Sequence, residues 1–76
     1  AGGQTIQLAA AATPDEANAM WIRMIAVHPE LARYQKAVIP AVVGSRKVYR
    51  LRATAPGAHS FCTSLKQRGG ACFNVS

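Results

Sequence analysis

Acid is what this chain has least of. Three Asp and Glu stand against nine Lys and Arg in 76 residues, a formal charge of +6. Asp15, Glu16 and Glu30 offer no paired-carboxylate site, and the imbalance favours an anionic partner: nucleic acid, a lipid surface or an acidic polysaccharide. The two histidines, His28 and His59, are isolated, and the two cysteines lack CxxC spacing, which argues against zinc and against a redox motif. No nucleophile sits in a recognisable catalytic setting, so the expectation is a non-enzyme without metal or cofactor. No apolar run approaches the ~18 residues of a membrane span, and no membrane contact by this domain itself is expected. Half the residues are apolar, as in a globular chain. A chain of this length makes one domain near the lower limit for a self-sufficient core, burying only about 60% of its unfolded surface. It does not begin with Met, and the expectation is a monomeric unit within a larger protein.

What is present is organised around residues 48–56. From Tyr49 to Ala53 apolar and basic residues alternate strictly, the period-2 signature of a strand with one buried face. Tyr49, Leu51 and Ala53 are expected to face a core, with Arg50 and Arg52 on the other side. That arginine pair is either a solvated face or a flat platform for a ligand carrying carboxylates or hydroxyls.

Residues 1–4 read as the end of a linker and 5–76 as the domain. Residues 5–10 alternate, with Ile6, Leu8 and Ala10 expected one way and Gln7 the other. Thr13-Pro14-Asp15-Glu16 is a helix start: a hydroxyl for the N-cap, proline at the first helical position, and acid at the positive end of the dipole. Ala17, Met20, Trp21, Met24 and Ile25 then draw one apolar stripe, which ends at His28-Pro29. Leu31 and Tyr34 in the connector dip toward the core. Residues 36–43 are β-branched but contain Pro40, so this strand belongs at an edge or carries a bulge. Gly44-Ser45-Arg46-Lys47 is a turn with two cations. A second helix over about 58–68 buries Ala58, Phe61, Cys62 and Leu65 and stops at Gly69-Gly70. A last strand covers 71–75.

Strand, helix, strand, strand, helix, strand predicts an α+β chain, a ferredoxin-like split βαβ sandwich: a four-stranded antiparallel sheet with both helices on one face. The first and third strands are then central, and Gln7, Arg50 and Arg52 share the bare face. Cys62 on the second helix and Cys72 at the last strand fall where a bridge can form, worth ~3 kcal/mol by loop closure and implying an oxidising compartment. The other reading of the pair is two buried thiols.

Taken as an ordered set, these features resemble the SPOR domain, the peptidoglycan-binding module of bacterial envelope proteins, over nearly the whole chain. The similarity rests on Ile6-Gln7-Leu8, on Glu16-Ala17-Asn18-Ala19, on Val48-Tyr49-Arg50-Leu51-Arg52-Ala53, and on Cys62, Leu65, Lys66, Gly69, Gly70, Cys72 and Phe73. The chain departs from that pattern at Ala9, where the family has glycine, and at Thr54-Ala55-Pro56. The resemblance implies non-catalytic binding of glycan strands stripped of stem peptides, in the periplasm of a Gram-negative bacterium, targeting a larger envelope protein to the division septum. Carried over by position, it implies Gln7 and Arg50 as contacts and Phe73 as an aromatic neighbour, with Arg52 and Arg46 adding charge. Phe73 has two placements, open face or core; a bridge from Cys72 to the helix selects the first. An RNA-binding module shares the topology but wants stacking aromatics on the first and third strands, where this chain has Gln7, Arg50 and Arg52, so no nucleic-acid partner is expected. A protein-interaction module on the same sheet is the remaining alternative.

Overall fold

The computed structural model describes residues 3–75, so of the expected lead-in Ala1 and Gly2 lie outside the described residues, as does Ser76. Strand β1 (Gln4–Ala11) is followed by helix α1 (Pro14–Val27), a 3-10 turn (Pro29–Arg33), the hairpin of β2 (Gln35–Val43) and β3 (Arg46–Ala55), helix α2 (Ala58–Gln67) and strand β4 (Phe73–Asn74). The strands form one antiparallel sheet in the order β2-β3-β1-β4, which puts β1 and β3 in the centre and Pro40 on an edge.

Local chemistry sets the helix ends. The Thr13 hydroxyl accepts from the Glu16 N–H at 3.1 Å, with Pro14 in the first turn and Asp15 and Glu16 beside it. Ala17 and Trp21 are buried, with Met20, Met24 and Ile25 packed against the same core. Proline at position 29 breaks the helix, and the tighter turn that follows drives Leu31 fully into the core. Helix α2 starts after Gly57, which sits at φ 78° and brings no capping side chain. The cap comes from across the sheet, where Gln4 Oε1 accepts from the His59 N–H at 3.0 Å. At the other end Gly70 donates to the Leu65 carbonyl at 2.9 Å and Gly69 to that of Lys66 at 3.0 Å, the paired bonds of a Schellman ending. Ile6, Leu51 and Ala53 meet Trp21, Ala58 and Cys62 in a single core, so both helices cover one face.

Four expectations shift. Strand β1 contains a bulge: Gln7 pairs with Arg52, but Ala9, not Leu8, pairs with Leu51. The extra residue reverses the parity beyond it, so Ala10 is exposed and Ala11 is buried. Tyr49 points to the helix side but is only half-buried, because it lies opposite Ala11 at the last rung of β1 and carries the Lys47 ammonium over its ring at 5.6 Å. Arg46 and Lys47 belong to β3 and not to the turn: Val43 pairs with Arg46, and a positive φ of 64° at Gly44 permits a two-residue turn. Strand β4 is shorter than expected, pairing β1 at Phe73 and Asn74 with the Val75 N–H donating to the Thr5 carbonyl at 2.8 Å, while Cys72 before it is held to the helix by the bridge to Cys62.

Candidate binding face of the sheet

The sheet face opposite the helices is built from side chains that share parity across the four strands. Directly paired residues on antiparallel strands present their side chains on the same side. One row runs Ala37 on β2, Arg52 on β3, Gln7 on β1 and Phe73 on β4. The next row along holds Ile39, Arg50 and Ala10, and the row on the other side holds Gln35, Thr54 and Thr5. Arg46 lies further out on the same face, paired with Val43.

The central row is held by a hydrogen bond. Arg52 Nε donates to Gln7 Oε1 at 3.2 Å, and both side chains are half-buried. Because this bond uses Nε and the amide oxygen, the terminal guanidinium nitrogens and the Gln7 amide nitrogen remain the donors to offer a ligand. In the adjoining row the hydroxyls of Thr5 and Thr54 are bonded to each other at 2.9 Å, tying β1 to β3 beside the site. Phe73, 64% exposed, stands next to Gln7 with its ring outward.

Phe73 is placed there by the bridge. Cys62 and Cys72 are joined, with Cα atoms 5.5 Å apart, and both are buried. Cys72 thus faces the helices and the alternation sends Phe73 to the open side, the placement that a bridge was expected to select. Asn74 shares the inward parity of Cys72 but is exposed at the rim.

Charge on the face has one sign. Arg46, Arg50 and Arg52 all stand on it, whereas Asp15 and Glu16 lie in the first turn of α1 and Glu30 in the 3-10 turn. Arg50 and Arg52 are two residues apart on one strand, so their Cα atoms are separated by about 7 Å, with Arg46 about 14 Å beyond Arg50. No acid on this face competes for the guanidinium groups.

The structure therefore brings Gln7, Arg50, Arg52 and Phe73 onto one surface, with Arg46 toward its end. Gln7 is coupled to Arg52 and not to Arg50, which stands one row away opposite Ala10 and Ile39. Alternation assigns a residue to a face, but register alone decides which arginine meets the glutamine. Thr5, Thr54 and Ile39 also lie on this surface and were not singled out from the sequence. Their signal was available, since Thr54 has the parity of Arg50 and Arg52, and Thr5 that of Gln7.

The family model of the SPOR domain matches residues 1–76. The crystal structure of the SPOR domain of RlpA from Pseudomonas aeruginosa has the same fold, with a TM-score of 0.69 over 97% of this chain and 99% of that chain. The two sequences are 18% identical, so that likeness carries the fold alone. No curated protein sequence matches the chain.

Proposed function

The chain belongs to the SPOR domain family, a family of peptidoglycan-binding modules of the bacterial envelope, and from that membership we propose that its open sheet face binds glycan strands from which the stem peptides have been removed. The observation that carries this reading is the hydrogen-bonded Arg52–Gln7 pair flanked by the outward ring of Phe73 on a face without acid. Loss of the stem peptide frees the lactyl carboxylate of each muramic acid, so a denuded strand is a polyanion. A guanidinium holds a carboxylate in two parallel bonds, which a lysine ammonium does not reproduce. The Gln7 amide suits sugar hydroxyls and N-acetyl groups, and an aromatic ring packs on the apolar side of a pyranose. In this arrangement Gln7, Arg52 and Phe73 form the centre of the site, Arg50 extends it by one row, and Arg46 supplies charge further along. The domain is non-catalytic and works as a monomeric targeting unit in a larger protein. It acts in the periplasm of a Gram-negative bacterium and directs that protein to the division septum, where denuded strands accumulate.

The RNA reading needs stacking aromatics on the central strands, and the open positions of β1 and β3 carry none. The test is a pull-down with cell-wall sacculi before and after amidase treatment. Binding is expected to rise when stem peptides are removed. Arg52→Ala is expected to weaken binding about tenfold or more, the cost of a charge-assisted bond of about 1.5–3 kcal/mol, and Gln7→Ala about two- to tenfold, the cost of a neutral bond of about 0.5–1.5 kcal/mol, with the fold intact by circular dichroism. Arg50→Ala is expected to weaken it less. Equal binding to treated and untreated walls overturns the preference for denuded strands, and tight binding to oligo-RNA lost with the same changes favours the rival.

A further inference from the structure

The hairpin of β2 and β3 outruns the rest of the sheet. Strand β1 ends at Ala11, opposite Tyr49, so residues 41–48 pair only with each other. Neither helix covers this arm. Val42 is 72% exposed on the helix side, and Val43 is 56% exposed on the open side. The turn between them and the return strand is Gly44-Ser45, without charge. Immediately behind it come Arg46 on the open side and Lys47 on the helix side, and the arm contains no acid.

Each face of the tip thus pairs an exposed valine with a cation, Val43 with Arg46 on the open side and Val42 with Lys47 on the helix side. A protein partner seated on one face of the arm would cover only one of the two valines. The outer edge is also poor for strand addition, since Pro40 on β2 has no N–H to give a further strand. The pattern suits a planar interface entered tip first. There valines leave water on both sides at once, and the long basic side chains reach anionic headgroups while their stems stay along apolar surface. Run length excludes a membrane span, but an interfacial tip requires only a few exposed apolar residues with neighbouring cations.

We propose that the β2–β3 tip is an interfacial contact for an anionic lipid surface, with Val42 and Val43 as the apolar wedge and Arg46 and Lys47 as the headgroup ligands. This contact meets the sheet-face site only at Arg46, at the far end of that face. Arg50 lies about 14 Å along β3 from Arg46, and the row of Arg52 and Gln7 about 7 Å further, so the central row remains accessible when the tip is engaged. An envelope domain with both contacts would sample the wall while held at the adjacent membrane surface.

The test is co-sedimentation of the 76-residue chain with phosphatidylethanolamine vesicles made with and without phosphatidylglycerol. Binding is expected only with phosphatidylglycerol and is expected to weaken as salt rises. Val42→Ser with Val43→Ser is expected to lower it about tenfold or more, through lost apolar burial, with the thermal melt unchanged. Lys47→Gln is expected to lower it about fivefold, near the worth of one cation at an anionic surface. Gln7→Ala is expected to leave vesicle binding as it was, which separates this contact from the glycan reading. Absence of binding to phosphatidylglycerol vesicles overturns the proposal. Undiminished binding by the valine variant overturns it too, by showing unspecific attraction of a basic protein. Self-association of the parent that disappears in that variant overturns it in favour of a protein contact.

Discussion

Cutting the bridge between Cys62 and Cys72 is expected to cost this domain a large share of its stability. The two residues are 10 apart in sequence, and in the chain-entropy model closing a loop of that length removes about 9 cal/mol/K from the unfolded chain, or about 2.7 kcal/mol at 25 °C. A domain of 76 residues has a total stability on the order of 4–11 kcal/mol, so between a quarter and two thirds of it is at stake. At about 4–8 °C per kcal/mol for this size, the melting temperature is expected to fall by about 11–21 °C. The measurement is a far-UV circular dichroism melt of the oxidised protein with and without a phosphine reductant. Cys62→Ala with Cys72→Ala serves as the reductant-insensitive control. The effect also reaches the binding face, because β4 is held to β1 by two residue pairs and the bond from the Val75 N–H to the Thr5 carbonyl, and Phe73 adjoins Cys72. At a temperature where the reduced protein is still folded, binding to denuded sacculi is therefore expected to drop. Melts of oxidised and reduced protein that coincide within a few degrees would refute the reasoning, for the staple would then be redundant with the core.

Two further outcomes follow from packing and burial. A Cβ placed on Gly70 would lie 2.7 Å from Leu65 Cδ1 and 3.2 Å from the Leu65 carbonyl oxygen, so Gly70→Ala must push a buried side chain at the helix stop. We expect a loss of about 1–3 kcal/mol, read as a lower denaturant midpoint with an unchanged slope; no loss would mean that Leu65 repacks without strain. Tyr34 is packed near Phe61, and burial, with the Glu30 carboxylate adding to it, raises its pKa above the ordinary value of about 10. The unfolded chain therefore gives up this proton first as pH rises. The stability that Tyr34 supplies as a neutral phenol is full below pH about 10 and is lost between there and its folded-state pKa. Stability measured by urea titration is expected to decline through that alkaline window in the parent and to decline less in Tyr34→Phe, and parallel curves would contradict the assignment.

Much of this was legible because it depends on local chemistry with a short period. Thr13 through Glu16 specify a helix start wherever they occur, and Gly69-Gly70 a stop. The alternation in β3 assigns Leu51 and Ala53 to the core and Arg50 and Arg52 to the open face without reference to any other strand. Pro40 marks an edge because a proline has no donor for a ladder. The order of elements, the shared face of Gln7 with the two arginines, and the separation of Cys62 from Cys72 follow from these alone. What the chain could not reveal by itself concerns alignment between strands far apart in sequence. A run of alanines at 9–11 carries no alternation, so the bulge that exposes Ala10 and buries Ala11 left no mark. Register is likewise a property of two strands. Only the fold decided that Gln7 meets Arg52 and not Arg50, because the pairing is set by how far β1 and β3 slide before both bury their apolar residues against Trp21 and the helices. The reach of β2 and β3 beyond β1 was hidden for the same reason, since an exposed Val42 and a buried valine read identically until the neighbouring strand is known to have stopped.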